Sequence, residues 1–377
     1  MDNPCDFFSQ KHPWSKYKDL ILDYYLEPYL NKVAKLCKPI VVVDCFAGPG
    51  KFDDGELGSP LIISQKLLDL HLRGLPVKAL YIEANPDLYA KLQKNLKDLT
   101  VPAQIHFGNF RDYLEEILNY AKANTIFIYI DPFQPSDLLF EDMELIYNQL
   151  HKGQSVEVLI NFMTTNFLRY IWSLKSKIFS DDSMNTEHPL VLKVNKIAGG
   201  TYWQQIAFNE SFSTSEQVDN VAEGYAKQLH KWFQWTLLYP IREKYEHELP
   251  KYHLIFGSRH PDAMDLMNGA MVKARREFVG ARFVKDYLFA NQPEKEVVNL
   301  DDIENLIIKT SQKLGKTTWN LLRVSATVAN PCMYTESELN AAIKKAIQKG
   351  CLKSDCQGDL PPENCTSCNW STGMIEL

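Results

Sequence analysis

The sequence predicts an α/β fold, a doubly wound Rossmann-like domain with a mostly parallel sheet, followed by a small, mainly helical domain. Three observations carry this reading. Short apolar runs of strand character recur through residues 40–161, a stretch with helical spacing follows each run, and a glycine-rich turn closes the first one. Alternation of this kind calls for parallel strands joined by crossover helices.

Taken in order, residues 14–36 place apolar groups at Leu20, Ile21, Tyr24, Tyr25 and Leu26, the pattern of an amphipathic helix interrupted or bent at Pro28. This N-terminal segment, 1–38, is expected to pack over a sheet edge or to form part of a lid. Residues 40–45 are unbroken apolar sequence apart from Asp44, as in a buried parallel strand. Further strands are expected at 79–83, 103–107, 126–131 and 156–161. Helices are expected at 60–72, opened by Ser59 and Pro60, at 86–99, opened by Asn85 and Pro86, and at 110–119 and 138–150.

Residues 163–212 read as a less regular insertion or cap. A helix resumes after Ser213, whose spacing to Glu216 fits a capping box. The strands expected at 235–242 and 252–258 are joined by a loop too short for a crossover helix, which predicts an antiparallel terminal hairpin. Pro261 and Asp262 open a long helix to about residue 289, so the first domain is expected to span 39–290. A polar, proline-containing boundary at 291–298 precedes helices at 303–314, 317–329 and 337–349 and an extended tail. That arrangement over 298–377 suits a winged-helix-like domain.

Composition is that of an ordinary globular protein: 377 residues, 45% hydrophobic and 23% charged. A formal net charge of −6 gives no global attraction to nucleic acid or anionic lipid. Lys273, Arg275, Arg276, Arg282 and Lys285, with a slight basic excess over 301–353, permit a nucleic-acid partner, although many helix surfaces look the same. The N-terminus has no apolar signal core and no stretch approaches 18 apolar residues, so a soluble, cytoplasmic protein without membrane association is expected. The eight cysteines form no secreted-type framework. In the tail, Cys351, Cys356, Cys365 and Cys368 include one pair with zinc-like spacing, but the gap before it is short for a zinc ribbon. Free thiols and no metal are expected, and nothing indicates an oligomeric state.

The most informative stretch is VVVDCFAGPGKFDDGELGSP, residues 41–60. Asp44 ends a buried strand, Phe46 follows, and Gly48 and Gly50 bring backbone N–H groups close to a ligand that any side chain would obstruct. Asp44 suits an ammonium group or the turn N–H groups. Asp53, Asp54 and Glu56 crowd the next turn and disfavour pyrophosphate, and no G-K-S/T follows. Both features favour S-adenosylmethionine over a dinucleotide or ATP. Glu83 closes the second strand, where a doubly wound fold sets an acid against ribose hydroxyls. Asn109, after the third strand, is a candidate for the adenine edge or ribose, with Phe110 stacking on the ring. The bland alternatives are a helix cap for Glu83 and a turn for Asn109.

The fourth strand ends in IFIYIDPF, which brings Asp131, Pro132 and Phe133 to the cofactor. A carboxylate and flanking carbonyls accept hydrogen bonds from an amine, and an aromatic face supports a planar acceptor. Asp-Pro-Phe is similar to the D/N-P-P-Y/F motif of enzymes that methylate base amino groups, with one proline in place of two. Asn161 and Phe162, at the end of the fifth strand, are candidates to line the acceptor pocket.

Together, WSKYKDLILDYYLEPY, the glycine-rich stretch, YIEANP, GNF, FIYIDPF, VLINFMTTNFLRY and YHLIFGSRHP resemble the three-Cys-motif partner family over residues 14–290. The resemblance implies an S-adenosylmethionine-dependent methyltransferase with a winged-helix end and a radical-enzyme-like partner protein that carries the three cysteines. It puts the cofactor turn on Asp44, Phe46, Gly48, Pro49 and Gly50, the second-strand acid on Glu83, and the Asp-Pro-Phe and Asn-Phe-Met segments on 131–133 and 161–163. The rival readings are a non-catalytic partner that binds nucleic acid or protein and retains the cofactor fold, and, more remotely, an NAD oxidoreductase.

Overall fold

β-Branched and aromatic residues fill the short apolar runs, and such residues pack well on a pleated surface. The computed structural model describes residues 7–151, 153–180, 183–242, 249–286, 299–354 and 374–376. Seven of the runs form one sheet: β1 (Ile40–Asp44), β2 (Val77–Glu83), β3 (Ala103–Phe107), β4 (Thr125–Ile130), β5 (Val156–Phe162), β6 (Trp235–Ile241) and β7 (Tyr252–Ser258). Their order is β3-β2-β1-β4-β5-β7-β6. The pairs from β3 to β5 are parallel, while β7 runs antiparallel to both β5 and β6. The predicted hairpin is present, but its second strand pairs with β5 and its first lies at the edge.

Helix α1 (Pro13–Val33) is continuous through Pro28, so the proline does not interrupt it. The helices α2 (Ser59–Leu72), α3 (Pro86–Leu96), α4 (Leu114–Ala123) and α5 (Phe140–Tyr147) follow strands β1 to β4. Gly58, rather than Ser59, is the residue that precedes the first turn of α2. The Asn85 side chain caps α3 by accepting from the N–H groups of Asp87 and Leu88.

Residues 163–212 depart from expectation. They hold α6 (Thr164–Ser173) and α7 (Pro189–Ala198), and their side chains Phe167, Leu168, Ile171, Val191, Val194, Ile197 and Trp203 are core. The region is a packed layer because its apolar residues keep helical spacing on either side of the polar stretch. Helix α8 (Thr214–Leu229) begins with the predicted capping box: the Ser213 hydroxyl accepts from Glu216 N–H, and the Glu216 carboxylate accepts from Ser213 N–H.

Strand alternation sorts the sheet into two unlike faces. Val41, Val43, Ile128, Val158, Ile160 and Phe162 join the apolar core formed with α4 to α8. On the opposite face the register sets Asp44 beside Tyr129 and Tyr129 beside Leu159, so Asp131 and Asn161 follow on that same face. This face is covered by α1, whose Tyr25 and Tyr29 rings pack on Phe127 at 5.5 Å, and by α2, whose Ser64 bonds Tyr81 at 2.6 Å.

The chain divides into two compact units, Met1–Arg259 and His260–Leu377. Helix α9 (Asp262–Asp286) therefore belongs with the second unit, whereas the sequence pattern extends the first domain to residue 290. The expected linker at 291–298 lies outside the described residues. The second unit continues with α10 (Leu300–Leu314), β8 (Thr317–Thr318), α11 (Trp319–Ala329), α12 (Glu336–Gln348), β9 (Lys353–Ser354) and β10 (Met374–Glu376). Its three strands form an antiparallel sheet in the order β8-β10-β9 behind a core of Ile303, Ile307, Leu322, Leu339 and Ile343, a winged-helix-like arrangement. Within it, Arg323 pairs with Asp265 at 2.8 Å and joins α11 to α9. Among the described residues no helix is long and apolar enough to cross a membrane. Cys37, Cys45 and Cys351 are free thiols, and Cys356, Cys365 and Cys368 lie outside the described residues.

Candidate functional site

The site is built at the carboxyl ends of β1, β2, β4 and β5, where open α/β sheets bind ligands beside the point at which strand order reverses. Asp44 ends β1 with no exposed surface. Its Oδ1 accepts from Phe46 N–H at 3.2 Å, and its Oδ2 makes no hydrogen bond among the described residues. Burial pushes the Asp44 carboxyl up to about 7, against the Phe46 N–H and the nearby Ser59 hydroxyl, which favour the charged form. A buried carboxylate oxygen without a hydrogen bond among the described residues has room for a further donor, a water, an ion or a ligand.

Gly48 and Gly50 both adopt positive φ, 62° and 75°, the left-handed region that glycine enters without strain. The Gly48 N–H donates to Glu83 Oε2 at 2.7 Å, and Glu83 Oε1 accepts from Asn85 N–H at 2.7 Å. Glu83 therefore bridges the turn and the start of α3, which unites the ligand and cap readings in one side chain. Burial raises its carboxyl above the ordinary value, although the Asn85 and Gly48 N–H groups oppose this.

The turn does not lie open. Residues 47–50 are buried, and a Cβ on Gly48 would come within 3.0 Å of the Phe8 ring. Phe8 belongs to a strap that precedes α1. Its carbonyl accepts from Asp53 N–H at 3.0 Å, Lys11 N–H donates to Asp54 at 2.9 Å, and the Lys11 ammonium reaches the Leu57 carbonyl and Asp19. The acids of the 53–56 turn thus anchor the strap and pair with lysines, Lys91 on Asp53 and Lys16 on Glu56. Pairing leaves less negative charge to repel a phosphate than the sequence alone suggests.

On the third strand side, Asn109 N–H donates to Asp112 at 2.9 Å, a turn interaction. Phe110 is 2% exposed and joins the core, 6.1 Å from Phe46, so it offers no open ring face for stacking. Phe162 is likewise core, stacked on Tyr225 at 4.2 Å, and does not line a pocket. Adjacent residues on a strand face opposite ways, so only Asn161 of the predicted pair reaches the polar face.

Asp131 and Asn161 meet there: the Asn161 amide donates to Asp131 Oδ1. The other oxygen of Asp131 is held by the ammonium of Lys18, a residue that no sequence motif singles out. A signal for it exists, because Lys18 keeps helical spacing with Ile21, Leu22, Tyr25 and Tyr29 and so lies on the buried stripe of α1. Burial pulls the Lys18 ammonium down, but Asp131, Asp19 and Asp44 more than offset this and hold it above the ordinary lysine value. Pro132 is buried, whereas Phe133 is 45% exposed, with Phe7 of the strap edge-on at 6.1 Å.

A second constellation has the hydroxyl–imidazole–carboxylate order of a nucleophilic site. Thr164 Oγ1 lies 2.9 Å from His253 Nδ1, and His253 Nε2 lies 3.1 Å from Asp219. Thr164 and His253 are 0% and 1% exposed, so no substrate reaches the hydroxyl. The three residues link α6, β7 and α8.

No family model matches the chain, and no curated protein matches it. Solved structures do. A protein from Porphyromonas gingivalis W83 assigned as a methyltransferase matches at 17% identity and a TM-score of 0.23, over 37% of this chain and 32% of that one. Protein LPL1258 of Legionella pneumophila str. Philadelphia 1 matches at 11% and 0.40, over 68% and 90%. A protein from Klebsiella pneumoniae assigned as an O-methyltransferase matches at 10% and 0.34, over 69% and 91%. Scores this low carry no argument about function. The fold rests on the strand order and directions, a Rossmann-like sheet with one antiparallel strand between β5 and β6.

Proposed function

We propose that the protein is an S-adenosylmethionine-dependent methyltransferase whose acceptor is an amino group on a planar ring. The observation that carries the cofactor is the unpartnered, buried Asp44 Oδ2 beside two left-handed glycines and the Glu83 carboxylate. A ligand with an ammonium at one end and ribose hydroxyls at the other satisfies the first carboxylate and reaches the second. The residues fit the group with one condition: the strap from Phe7 to His12 must lift or shift, since Phe8 covers Gly48. Among the described residues its anchors are two hydrogen bonds of its backbone, Lys11 on the Leu57 carbonyl and on Asp19, and Phe7 and Phe8 packed on Phe52, all of which the shift must break or carry along.

Bound S-adenosylmethionine would supply an activated methyl group. The chain's own residues then align the acceptor and exclude water. Asn161 Oδ1 is buried without a partner and lies beside Asp131, so these two side chains offer acceptor oxygens to the two hydrogens of an amine. The exposed Phe133 ring supports a flat acceptor, as a nucleic-acid base would be. The radical-enzyme-like partner, the nucleic-acid partner and the cytoplasmic location rest on the sequence reading alone.

Titration calorimetry with S-adenosylmethionine, S-adenosylhomocysteine and NAD tests the cofactor. The first two should bind and NAD should not, and Asp44→Asn should weaken binding by at least about tenfold, the worth of one charged hydrogen bond. Binding of NAD alone overturns the reading in favour of an oxidoreductase. Binding of the methyl donor without transfer to any nucleic-acid, protein or small-molecule amine favours a non-catalytic partner.

A further inference from the structure

Five ionisable side chains, four of them buried and Asp131 half-buried, form a line on the polar face. Lys11 lies 2.7 Å from Asp19, Lys18 lies 4.0 Å from the other oxygen of Asp19, and Lys18 holds Asp131, which Asn161 holds from the opposite side. Asp44 acts on Lys18 from the end of β1. With all groups ionised, two lysines face three aspartates, so the line carries one uncompensated negative charge. Three acceptor oxygens along it, Asp19 Oδ1, Asp44 Oδ2 and Asn161 Oδ1, are buried and make no hydrogen bond among the described residues. Nothing about an ion pair kept only for stability calls for surplus acceptors, because unsatisfied buried oxygens cost free energy.

We propose that Lys18 is a positioning residue of the methyl-transfer site: with Asn161 it clamps Asp131 from both sides, so that the carboxylate stays aimed as an acceptor for the incoming amine. The inference rests on the methyltransferase reading. Its physical reason is the company Asp131 keeps. The titratable or charged groups that face it are Lys18 and Asp19 on α1, Asp44 on β1, Tyr129 on β4 and Tyr252 on β7, with Lys11 of the strap behind Asp19. Among the described residues Lys18 is the cation that touches Asp131. Without it, Asp131 keeps one of its two holds, the Asn161 amide, while two neighbouring carboxylates repel it from the orientation that meets the amine.

The test uses sinefungin, which carries an amine where S-adenosylmethionine carries its transferable methyl, against S-adenosylhomocysteine, which has nothing there. Both share the amino-acid end, so the ratio of their dissociation constants reports on the groups that face the transferred methyl, Asp131 among them. In the full chain, calorimetry at a single pH should show sinefungin ahead. Lys18→Met and Lys18→Gln should lower that ratio by about fivefold, the worth of one hydrogen bond, because the unclamped Asp131 turns from the amine. Lys18→Arg should restore the ratio. In an Asp131→Asn background, Lys18→Met should leave the ratio unchanged.

A ratio that stays level or rises in both neutral variants would overturn the proposal and leave Lys18 an ordinary buried ion-pair partner. So would a chain that folds only with a cation at position 18, since the lysine would then serve the fold. If neither ligand binds the unaltered protein, the cofactor reading fails first, before Lys18 is tested.

Discussion

The two faces of the central sheet are built from the same strands and differ in the polar groups they bury. The face beneath α4 to α8 buries valine, isoleucine, phenylalanine and Trp203 in one apolar cluster. The face beneath α1 and α2 buries Asp44, Glu157, Asn161, Lys18 and five tyrosines: Tyr25, Tyr29, Tyr81, Tyr129 and Tyr252. Apolar burial stabilises at about 25 cal/mol per Å², whereas buried polar groups contribute about 1 kcal/mol per hydrogen bond when paired and cost free energy when not. The contrast teaches where chemistry is built: both faces bury apolar side chains, Ile21, Leu22, Val42, Phe127 and Leu254 on the α1 side among them, and the face that also buries Asp44, Lys18 and Asn161 is the one that reaches the site.

The largest test of that division is Trp203→Ala on the apolar face. Trp203 is fully buried, and its indole N–H donates to Asn195 at 2.9 Å. Chemical denaturation should show a loss of about 3–5 kcal/mol. Cofactor affinity of the protein that remains folded should stay within twofold, and a larger change would show that the two faces are not independent.

Next in size is the polar face's response to pH. Glu157 is buried, accepts from the Tyr25 hydroxyl and lies 3.1 Å from the Ser258 hydroxyl, and burial pushes its carboxyl up to about 7 in spite of those hydroxyls. A carboxyl whose folded value exceeds its unfolded value of 4.5 holds its proton longer in the folded state. Its contribution to stability is therefore full below about pH 4.5 and is lost as pH rises toward 7. Asp44 acts in the same direction. Glu157→Gln should remove its share, leaving the variant more stable than the parent at pH 8 by on the order of 2 kcal/mol. Thermal unfolding at pH 5 and pH 8 checks the sign, and a variant that is less stable at pH 8 would mean that the ionised carboxylate supports the fold.

Smallest is Ser213→Ala, which touches neither face. Losing the hydroxyl that caps α8 should cost about 1 kcal/mol with no change in ligand binding.

Much of this architecture is legible in the amino-acid sequence. The strands at 103–107 and 252–258 fall where the apolar runs stop, and the caps at Asn85 and Ser213 are local hydrogen bonds that a few adjacent residues specify. Asp44, Glu83 and Asp131 stand out because each ends an apolar run, and a strand end places its side chain at the sheet edge. Phe110 and Phe162 mislead because a single aromatic beside a polar residue looks the same whether it faces ligand or core. Residues 163–212 look less ordered than they are because a polar interruption hides two helical stripes.

The sequence by itself determined the order of strands and helices, the left-handed glycine turn and the acids at the strand ends, since all of these depend on neighbours within a few residues. Only the tertiary structure decided that β7 enters between β5 and β6, that Phe8 lies over Gly48, and that Lys18 holds Asp131. Those contacts join residues far apart along the chain, which no local pattern can pair. What selects them is the packing of α1 against a sheet whose register decides which side of each strand looks toward it.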